Sequence, residues 1–155
     1  MNLGLLISIA VTSLLYIGYI VIRYGVQSSI SASYKNLETP IKKSLYSWFI
    51  AFVAIPMMIV SDNWMGVVAG MFLSIDFAAP TGGSKLNMFL HCLGADAGML
   101  LGTAMLGFMF GQWWLVGIAS FVVVITYWKA KNSTWWIECE VLAAVWIGLL
   151  IEKVL

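Results

Sequence analysis

The sequence predicts an all-α, polytopic membrane protein with six transmembrane helices. Of its 155 residues, 62% are hydrophobic and only 10% are charged, whereas soluble domains are typically about 45–50% apolar and about 25% charged. The apolar residues form continuous runs close to the roughly 20 residues that cross a bilayer. This composition excludes a soluble enzyme and a disulfide-built secreted module. A net charge of +1 without a basic patch also argues against a nucleic-acid partner.

Six apolar segments define one predicted bundle that covers residues 1–155. They lie at 3–23, 44–61, 64–80, 87–110, 112–128 and 134–152. Because these runs are continuous and do not alternate with polar residues, they indicate helices and not the strands of an outer-membrane barrel. The third and fifth segments are short, so five spans or a re-entrant element is an alternative. Pro56 predicts a kink in the second span, and residues 81–84 predict a tight turn after the third.

The basic residues predict the orientation of the bundle. Seven of the eight Lys and Arg residues lie in or beside the first, third and fifth loops, and only Lys153 lies on the opposite side. Since short loops rich in Lys and Arg stay in the cytoplasm, both termini are expected outside. The expected location is the bacterial inner (plasma) membrane. Six tryptophans fall at span ends, as interfacial aromatics do: Trp64, Trp113, Trp114, Trp128, Trp135 and Trp136.

Five ionisable residues fall inside the predicted spans and are candidate ligand-binding or proton-coupling residues. Asp96 is the costliest, because helical rise places it near mid-membrane. Asp76 and His91 lie at similar depths near the cytoplasmic side, where they could face one another. Glu138 and Glu140 lie on nearly opposite faces of the last span. One of these two is expected to point toward the cytoplasmic interface, or both serve the N-terminal helix dipole.

A stripe of small residues marks the fourth span. Gly94, Gly98 and Gly102 recur every four residues, roughly in line with His91, a pattern that lets membrane helices approach closely. The stripe predicts packing within one chain or between two copies. Asp96 is expected to point away from this contact, toward another helix or a cavity.

The most distinctive segment is 28–34, which reads Ser-Ser-Ile-Ser-Ala-Ser-Tyr. It belongs to the polar 24–43 loop, the only loop long enough to fold over a face of the bundle. The hydroxyls of Ser29 and Ser31 lie on the same predicted side as Asp76 and His91. They could bind a polar head group or a metal, or they could cap helix ends.

This segment, the membrane aspartate and the His-led helix together resemble the CREST superfamily, which includes alkaline ceramidases and progestin-receptor-like proteins. They also resemble small uncharacterised bacterial and phage multi-pass proteins. In the superfamily a serine, an aspartate and three histidines hold catalytic zinc. The resemblance, which covers 28–34 and 76–96, implies that Ser29 or Ser31, Asp76 and His91 occupy three of those positions. This chain has one histidine and six predicted spans, where the superfamily has three zinc-binding histidines and seven spans.

Three functions remain open from the sequence. The favoured one is non-catalytic, in which a cytoplasm-facing polar pocket binds a small ligand or lipid head group, or couples to protons through Asp96. The second is a metal-dependent lipid amide hydrolase, with His91 and Asp76 as the metal ligands. The third is a membrane assembly or interaction subunit that acts through the glycine stripe, with a homo-oligomer as one candidate assembly. No catalytic motif is present, so no catalytic residue and no cofactor is predicted; the expected partner is the lipid bilayer.

Overall fold

The computed structural model describes residues 3–78 and 85–154. Within those ranges the chain forms six α-helices, with no strand. The helices are α1 (Leu3–Tyr24), α2 (Pro40–Ser61), α3 (Trp64–Ala78), α4 (Lys85–Phe108), α5 (Trp113–Lys129) and α6 (Ser133–Val154). Between α1 and α2 lies a segment of residues 25–39, here called the α1–α2 segment, which contains a short 3₁₀ helix at Ser31–Asn36.

Four of these helices are long and apolar enough to span a membrane. They comprise α1, α2, α6 and the Phe89–Phe108 part of α4. Two shorter apolar helices, Trp64–Ile75 within α3 and Trp113–Lys129, accompany them. The all-helical class predicted from the sequence is therefore confirmed for the described residues, and their apolar helices are those of a membrane protein.

Helix α2 begins four residues earlier than the sequence interpretation placed it. Pro40 occupies the first turn, and the Thr39 hydroxyl accepts a hydrogen bond from the Lys42 N–H at 3.2 Å. Proline suits the first turn because it lacks an N–H that would go unpaired there. The apolar run starts later than the helix because this first turn is polar.

Helix α4 is also displaced from its predicted span of 87–110. It begins at Lys85 and ends at Phe108, and the chain then turns at Gly111, whose φ is +67°. Met109 and Phe110 are apolar but belong to the turn. A prediction based on hydropathy alone therefore placed the end of the helix two residues too late. The predicted turn at 81–84 lies outside the described residues. Helix α2 continues through Pro56, which is buried.

The connection between α2 and α3 shows how two helices come close together. Asp62 ends α2 in the left-handed conformation with φ of 54°, and the Asn63 side chain accepts the Gly66 N–H at 2.9 Å. A Cβ at Gly66 would lie 2.0 Å from the Ser61 Oγ. Glycine is therefore required there for the two helices to approach.

The helices pack in chain order, with each one contacting the next, and α6 returns to contact both α1 and α4. Helix α2 is the most deeply packed, with nine buried residues. Helix α5 contacts mainly α4 and α6 and buries only Leu115 and Ala119. The centre of the bundle therefore lies among α1, α2, α3, α4 and α6, and α5 lies outside it.

Candidate ligand cavity and its polar end

A partly enclosed cavity of about 80 Å³ lies at the centre of the bundle, between the α1–α2 segment and the five inner helices. One wall is a face of α6, formed by Glu138, Val141, Leu142, Val145, Trp146 and Leu149. Eleven residues separate the ends of this wall, which corresponds to about 16 Å along a helix. The residues that line the cavity are thus spread over a long stretch of the bundle.

Helix α2 forms the opposite wall, and the lining there is almost entirely apolar. Phe49, Ile50, Val53 and Met57 face the cavity. Leu73 of α3 and Ala95 of α4 contribute further apolar surface. An apolar lining of this kind favours hydrocarbon over water, because a water molecule needs two to four polar partners.

Among the described lining residues, the carboxylate and the hydroxyl groups lie near the start of α6. Glu138, Ser31 and Tyr46 contribute to the lining there. The Glu138 carboxylate accepts a hydrogen bond from the Ile30 N–H of the α1–α2 segment. One end of the cavity therefore carries a carboxylate and hydroxyls, whereas the rest is hydrocarbon.

Serine hydroxyls stabilise the local conformation of the α1–α2 segment. The Ser29 and Ser31 hydroxyls are hydrogen-bonded to each other at 2.9 Å, and the Ser29 hydroxyl accepts the Ala32 N–H at 2.9 Å. These hydrogen bonds are local to the segment and lie beside the start of its 3₁₀ helix. Ser31 has in addition a place in the cavity lining.

A buried hydroxyl pair fixes the segment against the bundle. The Tyr16 and Ser33 hydroxyls are hydrogen-bonded at 2.7 Å, and the Ser33 hydroxyl also donates to the Ile30 carbonyl. Tyr16 stacks on Phe49 with ring centroids 4.6 Å apart. Sequence reasoning missed this pair; the signal available to it was a tyrosine inside an apolar span, which needs a hydrogen-bond partner when buried.

Further contacts tie the segment and α1 to α6. The Asn132 side chain donates to the Val26 carbonyl at 3.2 Å, and the Trp146 indole donates to the Leu6 carbonyl at 2.8 Å. Together with the Glu138–Ile30 contact, these bonds hold both ends of α1 against α6. The α1–α2 segment, which belongs to the only loop long enough to fold over the bundle, thus contacts α1, α6 and the residue that precedes α6.

Glu140 takes a different direction from Glu138. Its Oε1 atom accepts a hydrogen bond from the Thr126 hydroxyl of α5 at 2.6 Å, and it is not part of the cavity lining. The two carboxylates therefore diverge, as residues two apart on a helix must. Both contact other parts of the protein, so neither serves the helix dipole alone.

The other predicted site residues do not join this polar end. Asp96 lies on the exposed face of α4 and does not line the cavity, and His91 lies on α4, partly buried. The side chain of Asp76 lies outside the described residues. Over the described part of the chain, no three His, Cys, Asp or Glu side chains come together in a group that could hold a metal.

The glycine stripe of α4 faces the interior of the chain. Gly94, Gly98 and Gly102 are all buried. A Cβ at Gly98 would lie 2.7 Å from the Leu73 side chain and 3.2 Å from the Ala69 carbonyl oxygen of α3. These glycines allow close packing of α4 on its own neighbours.

Comparison with known proteins gives no family for this chain, since no protein-family model, no curated protein and no solved structure matches it. The functional interpretation therefore rests on the geometry of the cavity.

Proposed function

We propose that this chain is a six-span protein of the bacterial plasma membrane that binds an alkyl-chain amphiphile in its central cavity. The head group of the amphiphile lies beside Glu138 and Ser31 and carries a hydrogen-bond donor, such as a hydroxyl or an amine. The observation that carries the proposal is the pairing of a long apolar cavity with a single polar end.

The proposed membrane arrangement has six spans and both termini outside. Helices α3 and α5 have 15 and 17 residues, so each covers only about 22–26 Å. A short apolar helix spans a bilayer by local thinning or by its flanking residues. The bias of Lys and Arg toward the α1–α2 segment and the α3–α4 and α5–α6 connections supports a cytoplasmic position for those loops. The polar end of the cavity then opens on the cytoplasmic side.

The shape of the cavity supports an alkyl chain as the bound group. The α6 wall runs about 16 Å along the helix axis, and beyond Glu138 its lining is apolar apart from the Trp146 indole N–H. An apolar wall of this length suits a hydrocarbon chain that lies along the helix. A lipid-facing protein has abundant access to such chains.

The chemistry of the polar end supports a head group that donates hydrogen bonds. A carboxylate accepts hydrogen bonds and attracts cations. The Ser31 hydroxyl can donate or accept a hydrogen bond. An alkyl amine or a long-chain alcohol therefore matches Glu138, while an anionic head group would be repelled by it.

A photoreactive alkyl amine tests the proposal on the purified protein in mild detergent. After irradiation, peptide mapping should locate the label on the cavity faces of α2, α4 and α6. Ala95→Phe places a ring in the cavity and should reduce labelling strongly. Ala143→Phe makes the same change on the exposed face of α6 and should leave labelling unchanged.

Equal labelling of wild type and Ala95→Phe would contradict the proposal, provided that both proteins elute as folded species. Metal analysis of the same samples addresses the hydrolase alternative. A stoichiometric metal that disappears in His91→Ala would favour hydrolysis of lipid amides over simple binding.

A further inference from the structure

The exposed side of α4 carries a stripe that has no role in the proposed cavity. Its members are spaced by three and four residues in alternation, and all are exposed: Leu86, Phe89, Leu93, Asp96 and Leu100. Leu86, Phe89 and Leu100 are each more than 60% exposed. Alternating steps of three and four residues form the seam along which two helices pack in a left-handed pair.

Asp96 is the only ionisable member of this stripe and lies at the middle of α4. Among the described residues no hydrogen bond and no ion pair reaches it, and its side chain is exposed. In a helix that spans the bilayer, this side chain would face hydrocarbon. Carboxylates inside membranes almost always face a protein partner or water, so the exposed stripe requires an occupant with a polar group at the same depth.

Among the residues that the structure describes, no other part of the same chain supplies this group. All eight Lys and Arg residues lie in the loops or within the terminal turns of the helices, far from the middle of α4. The glycine face of α4 already packs against α3, with Gly98 beside Leu73 and Ala69. The partner of the stripe must therefore come from another molecule.

We propose that the exposed stripe of α4 is a homodimer interface, in which Asp96 of one copy is hydrogen-bonded to Asp96 of a second copy. Two copies in one membrane share orientation and depth, so a two-fold axis along the membrane normal places α4 beside α4 in parallel. The two Asp96 side chains then meet at equal depth. A protonated carboxyl on one copy donates to the carboxylate of the other, and a single polar position fixes the register of the apolar seam.

Cysteine cross-linking in isolated membranes tests this interface on the intact protein. In a background with Cys92→Ser and Cys139→Ser, Leu93→Cys and Leu100→Cys should each give a cross-linked dimer with a short bis-maleimide. Ile118→Cys on α5 and Ile55→Cys on α2 are equally exposed apolar positions and serve as controls. Dimer formation at control positions equal to that at the stripe positions, or no dimer at either stripe position, would overturn the proposal.

A second measurement separates the role of Asp96 from that of the apolar seam. Asp96→Asn retains a group that can both donate and accept hydrogen bonds, and should keep the dimer in native mass spectrometry. Asp96→Ala should weaken dimerisation by about three- to tenfold, the range expected for one hydrogen bond between membrane helices. Equal dimer fractions for wild type and Asp96→Ala would show that the carboxyl pair does not form.

Discussion

Glu138 and Asp96 are both carboxylates within apolar helices, yet their surroundings are opposite. Glu138 accepts a hydrogen bond from the Ile30 N–H and lines the central cavity. Asp96 points away from the bundle and is exposed. A membrane carboxylate that is satisfied inside its own chain supports the fold and shapes a binding site. A carboxylate on the outer surface of the bundle instead needs a hydrogen-bond partner from another molecule.

The largest expected effect comes from removing the Glu138 carboxylate. Glu138→Leu leaves the Ile30 N–H without its acceptor, and an unsatisfied buried donor costs about 1–3 kcal/mol. Thermal unfolding in mild detergent should show this loss. Asp96→Leu in the monomer should change stability by no more than about 0.5 kcal/mol, as is usual for surface positions. If both variants lost the same stability, the contrast between the two carboxylates would be wrong.

A crowded glycine of α4 and an open glycine of α5 allow a similar comparison. Gly98→Ala places a Cβ 2.7 Å from the Leu73 side chain, so α3 and α4 must shift apart, at a cost of about 1–2 kcal/mol. Gly117→Ala in α5 meets nothing within 4 Å and should stabilise that helix by up to about 1 kcal/mol. Unfolding temperatures of the two variants should therefore move in opposite directions. A Gly98→Ala protein as stable as wild type would contradict the close packing of α3 on α4.

The Tyr16–Ser33 pair tests how firmly the α1–α2 segment is held beside Glu138. Ser33→Ala leaves the buried Tyr16 hydroxyl without its partner and should cost about 1 kcal/mol or more. Adding Tyr16→Phe removes the orphaned hydroxyl, so the double variant should recover part of that loss. Thermal unfolding of the two single variants and the double variant gives this coupling directly. Strictly additive losses would show that the two hydroxyls do not interact.

Glu140 should give the smallest effect of the carboxylates that contact protein. Thr126→Val removes the hydroxyl that donates to its Oε1 atom and is expected to cost about 0.5–1 kcal/mol, the net contribution of one hydrogen bond. Because Glu140 does not line the cavity, alkyl-amine labelling should be unchanged in this variant. A loss of labelling as large as that of Ala95→Phe would connect α5 to the cavity, contrary to the structure.

The helices could be predicted from the sequence because a long run of apolar residues directly indicates a helix that is buried in hydrocarbon. The start of α2 at Pro40 was missed only because its first turn is polar, although Thr39 and Pro40 form a readable helix start. Met109 and Phe110 caused the opposite error, since apolar residues in a turn look the same as apolar residues in a helix.

The candidate site was less predictable, because it depends on how each helix is rotated in the bundle. Spacing alone indicated that Glu138 and Glu140 diverge, but not that Glu138 would meet Ile30, 108 residues away in the chain. Tyr16 and Ser33 are brought together by the path of the α1–α2 segment. Long-range contacts of this kind leave no local pattern for sequence reasoning to detect.

The most direct test of the central claim is native mass spectrometry of the purified protein incubated with a long-chain alkyl amine. Wild type, Glu138→Gln, Asp96→Asn and Glu152→Gln are compared at equal concentration; Glu152 is an exposed carboxylate on the same helix as Glu138. We expect a bound amine in wild type, Asp96→Asn and Glu152→Gln, and a marked loss in Glu138→Gln. Equal binding by all four proteins, or equal loss in Glu138→Gln and Glu152→Gln, would contradict the assignment of Glu138 to the polar end of the binding cavity.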